Sequence, residues 1–189
     1  MPPKTVFSKD DVMEAALLVV QDQGIKSLTA REVAKRLKSS TAPVYSNFES
    51  MGLLEREVIK KAKDLLMEYM SKSYTDRVFL NMGIGYARFA RENCALFRAL
   101  YLETNEYADI HQDLQIEMRN QMSKDPRFTS LAEESRNSLL DKMAIFTHGM
   151  ATMICVGLAE DSSDQYITNT LIDVGSAVIG AAFDRRKEE

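Results

Sequence analysis

The stretch TAREVAKRLKSSTAPVYSNF, residues 29–48, decides how this chain folds. Thr29 is an N-cap residue and Glu32 stands three residues later, the capping-box spacing. Val33, Ala34 and Leu37 then give the buried side of a short helix of about nine residues. Lys38-Ser39-Ser40 interrupts the pattern, and a second short piece runs from Thr41 to Phe48. Pro43 is tolerable only in its first turn, where a missing N–H has no partner to lose. Two short helices across a three-residue turn match the helix-turn-helix module, whose second helix enters the DNA major groove. Ala34 is small where the two helices must approach, and Val33, Leu37, Val44 and Phe48 form the buried wedge. The outward positions of the second helix, Thr41, Ala42, Tyr45, Ser46 and Asn47, are short or hydrogen-bonding, as a groove-reading face requires. Arg31, Lys35 and Lys38 are spaced along one side of the first helix, and Lys60, Lys61 and Lys63 cluster downstream. The same spacing also suits a small helical bundle with a solvated charged face.

The rest of the chain reads as helix too. Ahead of this stretch, Val12, Ala15, Ala16, Val19 and Val20 form a helical stripe; Ser8 and Asp11 make a capping-box-like start, and Gly24 supplies a left-handed stop. Beyond Ser50 the elements lengthen, with helices expected at about 51–71, 76–92, 95–102, 109–123, 130–158 and 164–186. No segment alternates with period two, and no internal repeat is found. The expected fold class is all-α, with about nine helices.

Length and composition exclude more than they assign. The chain of 189 residues is 45% hydrophobic and 28% charged, a globular balance. Four Pro and 8 Gly argue against loop-rich, low-complexity or all-β organisation. Cys94 and Cys155 cannot build a disulfide framework, and MPPKTVFSKD has no signal-like character, so a reduced, cytoplasmic setting is expected. The longest uncharged run, Met143–Ala159, has seventeen residues, including His148 and Gly149. It falls just short of a membrane span and reads as a buried helix. The net charge of −4 divides into +3 over residues 1–63 and −7 over 64–189. A basic front on an acidic body suits phosphate contact at one end, although scatter produces such a difference too.

The stretch from Ser8 to about Ile59 resembles the N-terminal domain of TetR/AcrR-type transcriptional regulators, with AALLVVQDQGIKSLTAREVAKRLKSSTAPVYSNFESMGLLEREVI (15–59) as the matching pattern. The resemblance rests on the Ala-Ala first helix, Gly24 with an apolar residue after it, and Thr29-Ala30-Arg31-Glu32-Val33-Ala34. It continues through Val44-Tyr45-x-x-Phe48 and then Ser50 and Leu54 at the opening of the fourth helix. It implies that Thr29, Thr41, Tyr45 and Asn47 contact DNA, Tyr45 on a phosphate, with Ser46 near base edges. Arg31 and Ala42 complete the candidate interface. Three positions depart from the family pattern. Lys38-Ser39 replaces a Gly-apolar turn, Met51 stands where a phosphate-contacting Lys is usual, and the second helix carries no Arg or Lys. Fewer charged contacts imply weaker electrostatic affinity and a shallower salt dependence.

The resemblance implies a helix-turn-helix domain over 1–50 and a helical regulatory domain over 51–189, with dimerisation helices at 130–186. MGIGYARFARENCALFRALYLE (82–103) and Thr147-His148-Gly149-Met150-Ala151 are similar to one subgroup of such domains. Small residues Gly175, Ala177, Gly180, Ala181 and Ala182 allow close helix approach, and Leu171, Val174, Val178 and Ala181 form a stripe. Paired with their copies, these helices would make a four-helix bundle and a two-fold homodimer, although packing within one chain satisfies the same pattern. Eight of the 11 methionines follow residue 64. With aromatic neighbours they suggest an adaptable small-molecule site at Tyr86, Phe89, Phe97, Tyr101, Met118 and Met150, or simply core. His148 reads as a hydrogen-bonded core residue more readily than as a ligand contact.

No Gly-rich phosphate loop, G-x-S-x-G, H-E-x-x-H or C-x-x-C is present, and two histidines give little for a metal site. No enzyme activity, cofactor, metal or membrane partner is expected. The expected function is a ligand-responsive regulator binding an operator in duplex DNA, a repressor released by a small apolar or amphipathic effector. The alternative is a ligand-binding coactivator or adaptor that kept the fold without operator binding.

Overall fold

The structure, a computed structural model, describes residues 7–103 and 106–185. Among them are nine α-helices and no strand: α1 (Lys9–Gln23), α2 (Ala30–Arg36), α3 (Ala42–Asn47), α4 (Met51–Ser71), α5 (Val78–Glu92), α6 (Cys94–Tyr101), α7 (Ala108–Met122), α8 (Glu133–Cys155) and α9 (Asp164–Arg185). Short 3-10 turns at Ile25–Ser27 and Pro126–Phe128 complete the order. Arg186, the expected end of the last helix, and most of the N-terminal segment read as lacking signal character lie outside the described residues. The fold is all-helical, as expected.

The chain forms two compact units, one comprising residues up to Lys63 with Asn93–Ala108, the other Asp64–Glu92 with Asp109 onward. The division falls inside α4, which runs unbroken past Lys63.

In the first unit, α1 starts at the capping box read from the sequence: Ser8 Oγ accepts from the Asp11 N–H at 3.1 Å, and the Asp11 carboxylate accepts from the Ser8 N–H at 2.7 Å. Its stripe of Val12, Ala15, Ala16, Val19 and Val20 is buried as expected. Gly24 ends the helix at φ +81°, ψ 165°. That is the mirror-extended region rather than the left-handed helical well anticipated, and it favours glycine just as strongly. Helix α6 packs against α1, burying Leu96, Phe97, Ala99 and Leu100. Tyr107, itself buried, donates to Glu55 Oε1 of α4 at 3.0 Å. Burial and the neighbouring Glu55 carboxylate push its pKa up to about 12.

In the second unit α5 packs against both α8 and α9. Its small residues set the spacing. A Cβ on Gly85 would lie 2.2 Å from the Tyr69 carbonyl oxygen and 2.7 Å from Met70 Cα, so α5 meets the last turns of α4 backbone to backbone. A Cβ on Gly83 would likewise lie 3.1 Å from the Leu171 side chain of α9. The start of α5 is capped from a distance: Asp125, 1% exposed, accepts from the Phe79 N–H at 3.0 Å and from the Arg127 side chain at 2.6 and 2.9 Å. Burial would raise the Asp125 pKa, but the bonds from Arg127 and the Phe79 N–H outweigh it and hold the carboxyl below its ordinary value. Five of the methionines of this unit, Met70, Met82, Met122, Met143 and Met150, are core residues.

One described helix, 164–184, is long and apolar enough to cross a membrane by length and composition, and only 17% of that window is buried. The sequence had placed the longest uncharged run earlier, at 143–159, most of which lies in α8. Neither cysteine is a free thiol, against the expectation of reduced side chains.

The backbone contact at Gly85 generates a direct test. Gly85→Ala should lower unfolding stability by about 1–3 kcal/mol through overpacking, despite the better helix propensity of Ala. Gly52→Ala, where a Cβ meets only Ser50 Oγ at 3.9 Å, should instead be neutral or stabilising. Urea titration of both variants checks the pair, and a neutral Gly85→Ala would show that the helices are not in backbone contact.

Candidate nucleic-acid interface

Helices α2 and α3 pack on each other and on α1 through Val33, Ala34, Val44 and Phe48, all buried. Leu37, expected in that wedge, is half-buried because it is the C-cap of α2. Thr29 Oγ1 caps α2 by accepting from the Glu32 N–H at 3.3 Å, while the Glu32 carboxylate sits 3.7 Å from Lys35 Nζ. The turn between the helices is a Schellman motif. The Ser39 N–H donates to Ala34 O at 3.0 Å and the Lys38 N–H to Lys35 O at 3.1 Å. Lys38 therefore takes φ +50°, the left-handed position at which glycine is commonest. The departure noted in the sequence places the cost of this turn in one lysine backbone.

Helix α3 is short because Phe48 turns extended at φ −134°, ψ 126°. Tyr45 projects from it with 57% exposure, and Ala42 and Ser46 are exposed beside it. Thr41 is half-buried and makes no side-chain cap; the Ala42 N–H donates to Ser40 Oγ at 3.4 Å instead. Ser46 Oγ donates to Pro43 O at 3.1 Å. Asn47 is turned inward: its amide nitrogen donates to Phe7 O at 3.1 Å and to Pro43 O at 2.9 Å. One donor thus holds the N-terminal approach to α1 against α3, and the other is spent within α3. Arg31 is exposed on α2.

The surrounding charges differ from the sequence pattern in two places. Lys63 is buried, so Lys60 and Lys61 are the exposed members of the downstream cluster. Arg36 is paired with Asp22 of α1. Lys9, not anticipated because it lies 39 positions away in the chain, places its ammonium 5.2 Å from the Phe48 ring centroid. Ser50 opens α4 by accepting from the Leu53 N–H at 3.2 Å, which leaves Met51 half-exposed at the first helical position.

The candidate effector residues fall in both units. Phe97 and Tyr101 belong to the first, their rings 5.2 Å apart. Tyr86, Phe89, Met118 and Met150 belong to the second, where Phe89 is fully buried and Met118 half-buried. Tyr86 Oη lies 2.8 Å from His148 Nδ1, and burial holds the His148 pKa below its ordinary value. An open groove of about 380 Å³ runs along Met67, Ser71, Glu117 and Lys124 on α4 and α7 and the turn after α7, lined by none of the six.

No family model and no curated protein matches the chain. Solved structures do. A TetR-family transcriptional regulator from Streptomyces coelicolor superimposes with a TM-score of 0.78 at 14% identity, over 95% of this chain and 83% of that one. The chain has the TetR-family fold. A TetR regulator from Rhodococcus sp. RHA1 matches at TM-score 0.58 and 16% identity, over 90% of this chain and 93% of that chain. A single-residue variant of TetR from Acinetobacter baumannii AYE, in complex with minocycline, also gives 0.58 and 16%, over 93% and 98%. Within this TetR-like fold, α2 and α3 are the helix-turn-helix pair and α4 the helix that follows it.

The Schellman turn gives a stability test. Lys38→Gly should raise stability by about 0.5–1 kcal/mol, because the left-handed backbone no longer strains a Cβ. Lys38→Val should lower it by about 1 kcal/mol or more, a β-branched residue being poorest at positive φ. Thermal melts of the two variants moving in the same direction would contradict the geometry.

Proposed function

We propose that this chain is a homodimeric, DNA-binding transcriptional regulator, a repressor released when a small apolar or amphipathic molecule binds its C-terminal unit. The observation that carries the reading is the α2–α3 pair, rigidly turned at Lys38, with Tyr45, Ala42 and Ser46 presented outward on α3. In this reading Tyr45 holds a phosphate, Ala42 and Ser46 lie at base edges, and Thr29, Arg31 and Thr41 contact the backbone. Asn47 acts by positioning α3, since its amide donors are already used. Division into domains at residue 50, with DNA contacts before it and regulation after it, belongs to the same proposal.

Two-fold pairing is supported by the apolar surface that α8, the turn after it and α9 leave uncovered in one chain. Ile145 is 76% exposed, and Met153, Val156, Leu158 and Tyr166 are exposed as well. Gly180 has no atom within 4 Å of the position its Cβ would take, leaving room for a second helix. Tyr86, Phe89, Met118 and Met150, the four of the six candidates that belong to this unit, are the proposed effector contacts; a neighbour of the same fold is in complex with minocycline. Effector binding would shift α4 and change the spacing of the two DNA-binding units. The absence of Lys and Arg from α3 favours the second reading, an adaptor that keeps the fold without operator binding.

Fluorescence anisotropy with DNA from upstream of the chain's own coding sequence separates the two. The regulator reading expects salt-dependent binding, weakened by Tyr45→Phe on all DNA sequences alike with the melting temperature unchanged. Met51→Lys should tighten binding and steepen the slope of log affinity against log salt by roughly 1 to 2 units per dimer, each phosphate contact contributing about 0.9. No binding at low salt would favour the adaptor. An unchanged slope in Met51→Lys would mean that the start of α4 does not face DNA.

A further inference from the structure

Six residues close a ring across the end of α4, the turn that follows it, α5 and the head of α9, all within the C-terminal unit. Asp164, the first residue of α9, accepts from Arg88 Nε at 3.0 Å, from Arg88 Nη2, and from Arg91 Nη2 at 2.9 Å. On one side, the Arg88 guanidinium lies 4.8 Å from the Tyr74 ring centroid, and Tyr74 Oη donates to the Tyr69 carbonyl at 3.1 Å. On the other, Arg91 Nη2 donates to Glu92 Oε1 at 3.1 Å, and Glu92 Oε2 accepts from Tyr69 Oη at 2.8 Å. Both branches begin at Asp164 and end at Tyr69. Arg91 also donates to Ser162 O at 2.6 Å, tying down the loop before α9.

Tyr69 is where α4 needs such a partner. Its carbonyl is among the last of the helix, which the regular i→i−4 ladder no longer satisfies. The Lys72 N–H reaches it only at 3.4 Å, and the Tyr74 hydroxyl adds a shorter bond. Lys72 also sets a cation 4.3 Å from the Tyr69 ring at the negative end of the helix. The charged members are only partly buried, with side-chain exposures of 27% for Arg88 and Arg91, 42% for Glu92 and 51% for Asp164. Each such pair is weak and screened by salt. Two weak branches in parallel make an adjustable fastening.

We propose that this ring is a latch that holds the C-terminal turn of α4 to the head of α9 and sets how readily that turn opens. A consequence for DNA binding follows only if the function proposed above holds; the latch itself does not depend on it.

Amide hydrogen exchange in the full-length protein, read at residues 66–71, tests the latch. Tyr69→Phe or Tyr74→Phe alone should raise exchange there by about threefold or less, because one branch remains, whereas the double variant and Asp164→Asn should each raise it about tenfold, a local opening short of global unfolding. Melting temperatures should change little, and Glu92→Gln provides a milder variant of one branch. In the unaltered chain, exchange at 66–71 should also rise between about 0.05 and 1 M KCl as the Debye length falls from over 10 to ~3 Å, and this rise should vanish in Asp164→Asn. The latch is overturned if Asp164→Asn alters only amides of α5 and α9, or if exchange at 66–71 is independent of salt. Exchange that behaves as expected in a protein that binds no DNA counts against the proposed function and for the latch. Exchange at 66–71 that ignores the ring in a protein that binds DNA does the reverse.

Discussion

The contact of Gly85 with the backbone of Tyr69 and Met70 is the constraint on which the C-terminal unit depends. It allows α5 to lie directly against the end of α4 with no side chain between them, and so brings Glu92 within reach of the Tyr69 hydroxyl. The same helix packs on α8 and α9, with Gly83 receiving Leu171. Larger residues at either position would separate the elements and lose dispersion contacts along the whole of α5. The order of causes runs from two glycines to a helix spacing, and from that spacing to the polar contacts formed around it.

The N-terminal unit solves a different problem. A helix of six residues, α3, is too short to be stable by itself and depends on its neighbours. Val44 and Phe48 bury its inner side, Lys38 fixes the turn before it, and Asn47 binds it to the backbone of Phe7. What remains outward is small or hydroxyl-bearing and uncharged, so any electrostatic attraction to phosphate must come from cations outside α3, among them the exposed Arg31, Lys35, Lys38, Lys60 and Lys61.

Local chemistry was legible in the sequence wherever one residue and its near neighbours decide the outcome. The Ser8–Asp11 box, the Thr29 cap, the stripe of α1 and the bounds of α4 follow from spacing within a few positions. The side chains that took other roles are those whose partners lie far along the chain. Asn47 looked outward by helical position, but its amide nitrogen meets the carbonyls of Pro43 and of Phe7, the latter 40 residues away. Asp125 caps a helix 46 residues earlier, and Arg88 finds Asp164 after 76. Lys63 sat in a basic run yet is buried, because its helix face points inward while those of Lys60 and Lys61 do not. Lys38 is a further case: the turn was anticipated, but nothing in the lysine itself signals a positive φ.

Selection of bound sequences from a random duplex library with the full-length protein shows whether the proposed α2–α3 pair of a two-fold dimer reads duplex DNA. Enrichment of an inverted repeat is expected, with half-site centres about one helical turn, 10–10.5 bp, or a multiple of it apart. Recovery of unenriched sequences, or of single half-sites without an inverted partner, would contradict it.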